Sequence, residues 1–231
     1  CCYHNTMKVM SKLKSVSLPL LRSFCSRNVI LERNNYEFIV AQTRDVDLIV
    51  KFLGEYHYKQ VPTLNCLGVD YKKIAETLRE ETVQQIKDDF SFYVQDKATR
   101  EVVGVVLAHY MNAKLKKYYA DLSAMFKEDK SYYHWKMLER LYENVDVYEM
   151  YDVERILHGR IYSLKESVQR RGLGQSTVDA SGLLSKRNDE KMLVVAEANG
   201  LFSNHMLDKA GYQMVSRVNY SEFEVDGYYP F

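Results

Sequence analysis

The sequence predicts a mixed α/β (α+β) protein, and three observations carry that prediction. "RILHGRIYSL" and "KMLVVAEA" are apolar runs of strand length, each followed by residues at helical spacing. "FSFYVQD" and "EVVGVVLAHYMN" flank a turn at Asp96 to Arg100 and read as a hairpin. Residues 113–151 hold nine aromatics and no glycine or proline, the composition of a helical insertion and not of a linker.

The elements follow in order. "NYEFIVAQ" (35–42) is a first strand, and Thr43 offers an N-cap to a helix with Val46, Ile49, Val50 and Leu53 on one side. After the turn at Pro62, Tyr71, Ile74, Leu78, Val83 and Ile86 mark a second helix, and the hairpin at 90–112 comes next. Within the insertion, Leu115, Tyr119, Leu122 and Phe126 suggest one helix. Tyr132, Trp135, Leu138 and Tyr142 suggest another after "KEDK". Leu173, Thr177, Ala180 and Leu184 keep the spacing of a buried helix face. Phe202, Met206 and Ala210 mark a last helix stopped by Gly211, and "QMVSRVNYSEFEVDGYYPF" reads as two short strands around Asn219 or Gly227.

Composition narrows the function. Apolar residues make up 46% of the 231, enough for a sizeable core and against disorder. A net charge of +1 argues against nucleic acid as a partner, and no apolar run is long enough to span a membrane. Three of the four cysteines lie in the first 25 residues, so Cys66 alone falls in the expected body. No disulfide framework or cysteine metal cluster follows, no metal is expected, and a reducing compartment fits.

The first 31 residues carry no acid, while Lys8, Lys12, Lys14, Arg22 and Arg27 stand among serines and aliphatics. Residues 1–33 therefore read as a basic leader, disordered or targeting, before a single domain at 34–231. The location implied is cytoplasmic, or mitochondrial if the leader is a transit peptide. Oligomeric state is left open.

"SVQRRGLGQST" (167–177) sets two arginines against Gly172 and Gly174 where a strand gives way to a helix. The unpaired N–H groups of a helix's first turn, with about half a positive charge from its dipole, make an anion site. Glycines let an anion approach the backbone, and Arg170, Arg171, Ser176 and Thr177 add charge and hydroxyls. The dinucleotide fingerprint fails, because Thr177 stands where a third glycine belongs, and the P-loop lacks its Gly-Lys-Ser. By spacing alone an ordinary glycine turn fits as well.

Gln169-Arg170-Arg171-Gly172-Leu173-Gly174 resembles the acetyl-CoA signature Gln/Arg-x-x-Gly-x-Gly/Ala of the GNAT superfamily of N-acetyltransferases. "MLVVAEANGLFSNHMLDKAGY" is similar to that family's fifth strand and following helix, and "VVGVV" to its second and third strands. "LFSNHMLDKAGY" and the terminal "Y…DGYYPF" resemble its invertebrate arylalkylamine N-acetyltransferase-like group. The resemblance covers roughly residues 35–231. It implies six to seven mixed, mostly antiparallel strands splayed between the fourth and fifth, with the helical insertion between the third and fourth. It also implies acetyl transfer from acetyl-CoA to a primary amine, a small arylalkylamine or a related one, by direct attack on the thioester. Backbone N–H groups near Tyr162 to Leu164 would face the thioester, and those from Arg170 to Gln175, with Gln169 and Leu173, would hold the pyrophosphate.

The departures fall on the chemistry. Where relatives carry a glutamate in Asp-Glu-Pro-Leu, this chain has Gln60-Val61-Pro62, and Leu207 replaces the tyrosine that serves the leaving thiolate. Glu55, His57 and His158 are the candidate bases near in sequence, though Glu55 also reads as a solvated helix charge and His158 as a packed strand residue. Ser203 is a candidate for contact with the thiolate or a cap of its own helix. Aromatics of the insertion are candidates to cage an ammonium or to fill core. A non-catalytic acetyl-CoA-binding or interaction protein, and a protein N-acetyltransferase, stand as the alternatives.

Overall fold

The computed structural model describes residues 4–11, 29–112, 114–187 and 192–231. Its strands are β1 (His4–Met10), β2 (Val29–Arg33), β3 (Tyr36–Val40), β4 (Phe92–Asp96), β5 (Val102–Met111), β6 (Ile156–Leu164), β7 (Val194–Ala198) and β8 (Gln213–Asn219). They join one sheet in the order β2-β3-β4-β5-β6-β7-β1-β8. Every neighbouring pair is antiparallel except β6 with β7. The helices are α1 (Val46–Phe52), α2 (Tyr58–Gln60), α3 (Pro62–Leu67), α4 (Tyr71–Thr77), α5 (Arg79–Ile86), α6 (Leu115–Met125), α7 (Tyr132–Leu141), α8 (Val147–Tyr151), α9 (Leu173–Arg187) and α10 (Leu201–Ala210). The expected mixed, mostly antiparallel architecture with its helical insertion is present.

Two cores form, one on each face. α9 and α10 press Leu173, Val178, Ala180, Leu184 and Leu207 onto Phe38, Phe92, Val106 and Val194. On the other face, side chains of α1, α4 and the insertion pack on Val105, Leu107, Ile156 and Val195. α1 passes into a π-helical turn at Leu53–His57 and then α2. Pro62 opens α3 and Val61 before it is extended (ψ 113°), because the proline ring excludes the helical conformation from the residue that precedes it. The helix expected over 71–86 is two helices. Leu78, at φ −92° and ψ 13°, breaks it while apolar spacing continues across the bend.

The largest correction concerns the leader. Residues 4–10 form β1 between β7 and β8, and 29–33 form β2, so these parts of 1–33 belong to the sheet and raise its strand count to eight. The rest of the supposed leader lies outside the described residues. Met7 and Val9 fill one core and Met10 the other. Lys8 is 3% exposed, with its Nζ 2.6 Å from Asp208 of α10 and 3.2 Å from the Asn204 carbonyl oxygen. A composition count sees an unbalanced lysine, because its partner lies two hundred residues along the chain. The C-terminal pair of strands is also corrected. β8 is followed by a 3₁₀ turn at Tyr220–Glu222 and an isolated bridge, Val225 to Tyr228, around Asp226 and Gly227 at positive φ.

Candidate active site

The site begins where two parallel strands part. β6 and β7 pair through Leu157↔Val194, His158↔Val195 and Gly159↔Ala196, after which β6 runs on to Leu164 without that partner. Its other edge stays on β5, with a bulge. Leu107 faces Ile161 and Ala108 faces Gly159, so Arg160 has no opposite residue. A bulge re-aims the side chain that carries it. Beyond it, Lys165 N–H donates to the Val103 carbonyl while the Leu164 carbonyl turns away, to accept from the side chains of Gln60 and Gln169. Antiparallel alternation then aims the backbone polar groups of Tyr162 and Leu164 into the wedge between β6 and β7.

The glycine corner lies just past the end of β6. Gln169 is extended and is tied by Nε2 to Leu164 O at 2.9 Å and to Gln60 Oε1 at 3.0 Å. Arg170 and Gly172 both have positive φ, 61° and 80°. Such a turn bares successive N–H groups. The α9 ladder starts with Ser176 N–H to Gly172 O, which leaves the N–H groups of Leu173, Gly174 and Gln175 ahead of it. A Cβ on Gly172 would meet nothing within 4 Å, so the backbone is open on that side. Arg170 and Arg171 are exposed, with the Arg170 guanidinium 5.4 Å from the Phe202 ring centre. The hydroxyls of Ser176 and Thr177 are not offered outward. They donate to Gly172 O and Gly174 O of their own helix, at 3.3 and 2.6 Å. Arg33 of β2 also reaches α9, 2.9 Å from Asp179 and 3.3 Å from Ser176 Oγ. Sequence reading set it aside within the leader.

The opposite face of the wedge is built from side chains. His158 of β6 is fully buried, with Nε2 at 3.0 and 3.1 Å from the two carboxylate oxygens of Glu197 on β7. Tyr142 donates to Glu197, and the Tyr119 hydroxyl lies 3.4 Å from His158 Nε2. Burial works against the charge of Glu197, but His158, Tyr142 and Tyr119 hold its carboxyl below the usual range. His158 Nδ1 is buried without a hydrogen-bond partner among the described residues. Its ring lies edge-on to that of His109, 5.5 Å away.

A second charged pair sits beside the first. Arg160 Nη1 is 3.4 Å from Glu81 of α5, which also accepts from Tyr118 and Gln85. The guanidinium lies 5.6 Å from the ring centre of Trp135 and 5.9 Å from that of Tyr118. Trp135 and Tyr118 of the insertion thus meet the chain's own arginine, while Tyr119, Phe126, Trp135 and Tyr142 are buried in the core. Burial, then the charge of Arg160, lowers His57 to about 3. His134 is lowered to about 3 by burial, Arg160 and His57, and His109 to about 3 by burial, His158 and Arg160. All three are neutral imidazoles near pH 7.

The predicted site residues thus divide. Tyr162, Leu164 and 169–175 meet at the corner and wedge, and His158 and His57 lie on the opposite face. Glu55 does not join them. It lines a surface cavity of about 380 Å³ with Gly54, Asp70 and Lys72, because the π turn points it toward α4. Ser203 is used locally, its Oγ donating to Gly200 O at 2.9 Å and accepting from Gly200 N–H at 3.3 Å. Gln60 lies at the corner and Val61 is in the core. Cys66 is exposed on α3. Glu197, Arg160 and Glu81 were missed: for the first two the only signal was a charge inside a strand suited to burial, in "VVAEA" and "LHGRIYS", and Glu81, on α5, reads as an ordinary helix charge.

No family model matches the sequence, and no curated relative matches it. Solved structures do. An arylalkylamine N-acetyltransferase 2 from Aedes aegypti superposes with a TM-score of 0.73 at 17% identity, over 86% of this chain and 92% of that one. A Drosophila melanogaster polyamine N-acetyltransferase, which forms N-acetylagmatine, gives 0.69 at 14%, over 84% and 91%. The C-terminal condensation domain of Ebony, in complex with β-alanyl-dopamine, gives 0.55 at 14%, over 85% and 91%. The chain shares the fold of these proteins, the GNAT fold that its sequence motifs implied. At these identities the likeness extends to the fold alone.

Proposed function

We propose that this protein is an acetyl-CoA-dependent N-acetyltransferase that acts on a primary amine, a small arylalkylamine or a related amine, by direct attack of the amine on the thioester. One observation carries the reading. A parallel strand pair parts beside a helix start whose first N–H groups are uncommitted, and Gly172, at positive φ, leaves the approach open. That cradle suits a pyrophosphate. Arg170 to Gln175 would hold it, with Gln169 fixing the corner and Arg170 and Arg171 adding charge at the rim. The bound cofactor supplies an acetyl group activated as a thioester.

The remaining work falls to this chain. Tyr162 and Leu164 N–H groups would stabilise the oxygen that becomes negative during transfer, and their fixed placement means no reorganisation at that moment. The wedge would hold amine and carbonyl together. The face opposite the corner carries Glu197 paired with His158 and Glu81 paired with Arg160, polar groups against which an amine would be oriented. Two of the structural neighbours named above are an arylalkylamine N-acetyltransferase and a polyamine N-acetyltransferase, and their chemistry is consistent with this class.

A second reading has its own support. Aromatics of the insertion are taken up by the core and by Arg160, and Gln60 and Val61 replace the expected acids, which favours a non-catalytic acetyl-CoA-binding protein. Thermal shift with acetyl-CoA against desulfo-CoA, followed by thiol release across a panel of arylalkylamines, polyamines and an N-terminal peptide, separates them. Stabilisation with thiol release from arylalkylamines is the expected result. Stabilisation with no release from any acceptor would favour the binder, and release from the peptide alone a protein N-acetyltransferase.

A further inference from the structure

We propose that Asn5 of β1 is a specificity-determining residue of the acceptor site, where its carboxamide pairs with a hydroxyl at the end of the amine remote from the nitrogen. The inference rests on the N-acetyltransferase reading and adds to it which amines are preferred. It also gives a task to a segment that sequence reading set aside as a leader.

Side-chain directions along β1 place the residue. Thr6 Oγ1 lies 2.6 Å from Asn204 Oδ1 and Lys8 Nζ 2.6 Å from Asp208, so both side chains reach α10. Met7 and Val9 fill the core on the other face. Alternation therefore turns Asn5 to the face that carries His158 and Glu197. Met7 is opposite Glu197, and Thr6 is opposite Ala198, the last residue of β7. Asn5 thus stands diagonal to Glu197, at the level where β7 ends. Only β7 separates it from β6, and two strand spacings are about 10 Å. That is the scale of an arylethylamine with a hydroxyl on the far side of its ring.

The side chain itself is the anomaly. Asn5 is fully buried, and neither Oδ1 nor Nδ2 has a hydrogen-bond partner among the described residues. Its neighbour on β8, Val218, packs with Met137 of α7, Tyr220 and Phe223. An apolar side chain would complete such surroundings, whereas a carboxamide with both functions unpaired is costly. Buried polar groups are nearly always paired, so an orphaned one marks a place that something else completes.

The orphans are not scattered. Trp135 Nε1, His158 Nδ1 and Ser163 Oγ are further ones on this side of the sheet, and among the described residues none belongs to α9 or α10. With the phosphates held on the α9 side, this is the side left for the amine. A carboxamide offers a donor and an acceptor in one plane, the complement of a hydroxyl, which both donates and accepts. An amine ending in hydrocarbon would leave both atoms of Asn5 unpaired, and a site of that kind discriminates by the penalty.

Tyramine and phenethylamine differ by that hydroxyl alone and are the probes. The parent should prefer tyramine by about 10–100-fold in kcat/KM, the scale of a hydrogen bond whose loss leaves a buried partner unpaired. Asn5→Leu should bring the ratio to about one. Asn5→Ser, too short to reach, should do the same and decides the matter if the leucine variant fails to fold. Thr6→Val alters the same strand on its other face and should keep the parent's ratio. A parent without preference, an Asn5→Leu enzyme with the parent's ratio, or a Thr6→Val enzyme that loses it overturns the contact. A raised urea midpoint in Asn5→Leu at an unchanged ratio would mean that Asn5 holds an ordered water only, and overturns it too. A parent that binds acetyl-CoA but acetylates neither amine overturns the N-acetyltransferase reading instead. Calorimetry of the two amines with desulfo-CoA present then decides Asn5 separately. Tighter binding of tyramine by the parent but not by Asn5→Leu upholds the contact, and equal affinities in the parent overturn it.

Discussion

The two walls of the wedge are made of different materials. At the corner, function is assigned to backbone. Positive φ at Arg170 and Gly172, the first turn of α9 and the edge of β6 beyond the bulge present N–H groups in fixed places. On the opposite face, side chains from β5, β6, β7, α5, α6 and α7 enclose the buried carboxylate of Glu197, the half-buried one of Glu81, one arginine and several imidazoles. The difference has a physical consequence. A backbone cradle has no group that titrates near neutrality and depends little on its residues' identities. A buried charged cluster depends on every member, since removing one partner leaves another uncompensated.

That contrast predicts how acid takes the molecule apart. His57, His109 and His134 are each lowered to about 3, from an unfolded value of 6.5. Between those limits the unfolded chain binds protons that the folded one refuses. Stability is therefore full above about pH 6.5 and falls as pH drops toward 3, by up to about 1.4 kcal/mol per pH unit for each histidine. Glu197, held below its usual range, adds loss in the same direction at lower pH. Urea unfolding from pH 7 to 4.5 measures the slope. His57 makes no side-chain hydrogen bond among the described residues, so His57→Asn should reduce the slope by about one proton. An unchanged slope would mean that the opposite face is not the acid-sensitive wall.

The same contrast explains what the sequence could disclose. The corner was legible because a turn at positive φ favours glycine and a helix start follows at fixed spacing, so a six-residue string carries it. Apolar periodicity gave α9, α10 and the insertion for similar reasons. The charged cluster was not legible, because Glu81, Arg160 and Glu197 read singly as ordinary charges, and only the sheet order and the packing of α5 on it bring them together. β1 was lost for the same cause. Its Lys8 is neutralised by Asp208 of α10, a pairing with no local trace. Ser176 and Thr177 were over-read as anion contacts, since a hydroxyl in a first turn can equally bond its own backbone, as both do here.

Gly172 tests the backbone wall directly, with an effect second in size. At φ 80° any side chain is strained, by about 1–2 kcal/mol, although a Cβ there meets nothing. Gly172→Ala should therefore lower thermal stability by about that much and weaken acetyl-CoA binding only modestly. Gly172→Glu adds a carboxylate at the cradle and should raise Kd for acetyl-CoA by more than about 100-fold, ~2.7 kcal/mol. Calorimetry on the pair isolates charge from strain. Equal affinities in the two variants would remove the anion from the corner.

The smallest effect concerns Ser203, the one candidate catalytic hydroxyl near the wedge that has a local task. Its Oγ donates to Gly200 O and accepts from Gly200 N–H, a reciprocal cap in which Gly200 ends the approach to α10 and Ser203 closes its first turn. Asn204 Nδ2 donates to the same carbonyl at 2.9 Å, so Gly200 O keeps a partner when the hydroxyl is removed. Gly200 N–H would turn to water, as the helix start is only partly buried. Ser203→Ala should then cost about 0.5–1 kcal/mol, the lower part of the range for lost caps, read as a small fall in the urea midpoint. A hydroxyl engaged in this way is not available to the departing thiolate, so kcat for phenethylamine should stay within about twofold of the parent, well short of the 10²-fold scale of a proton-transfer residue. A hundredfold loss of kcat without loss of stability would reverse the assignment. It would place a working side chain on the wall that is otherwise built from backbone.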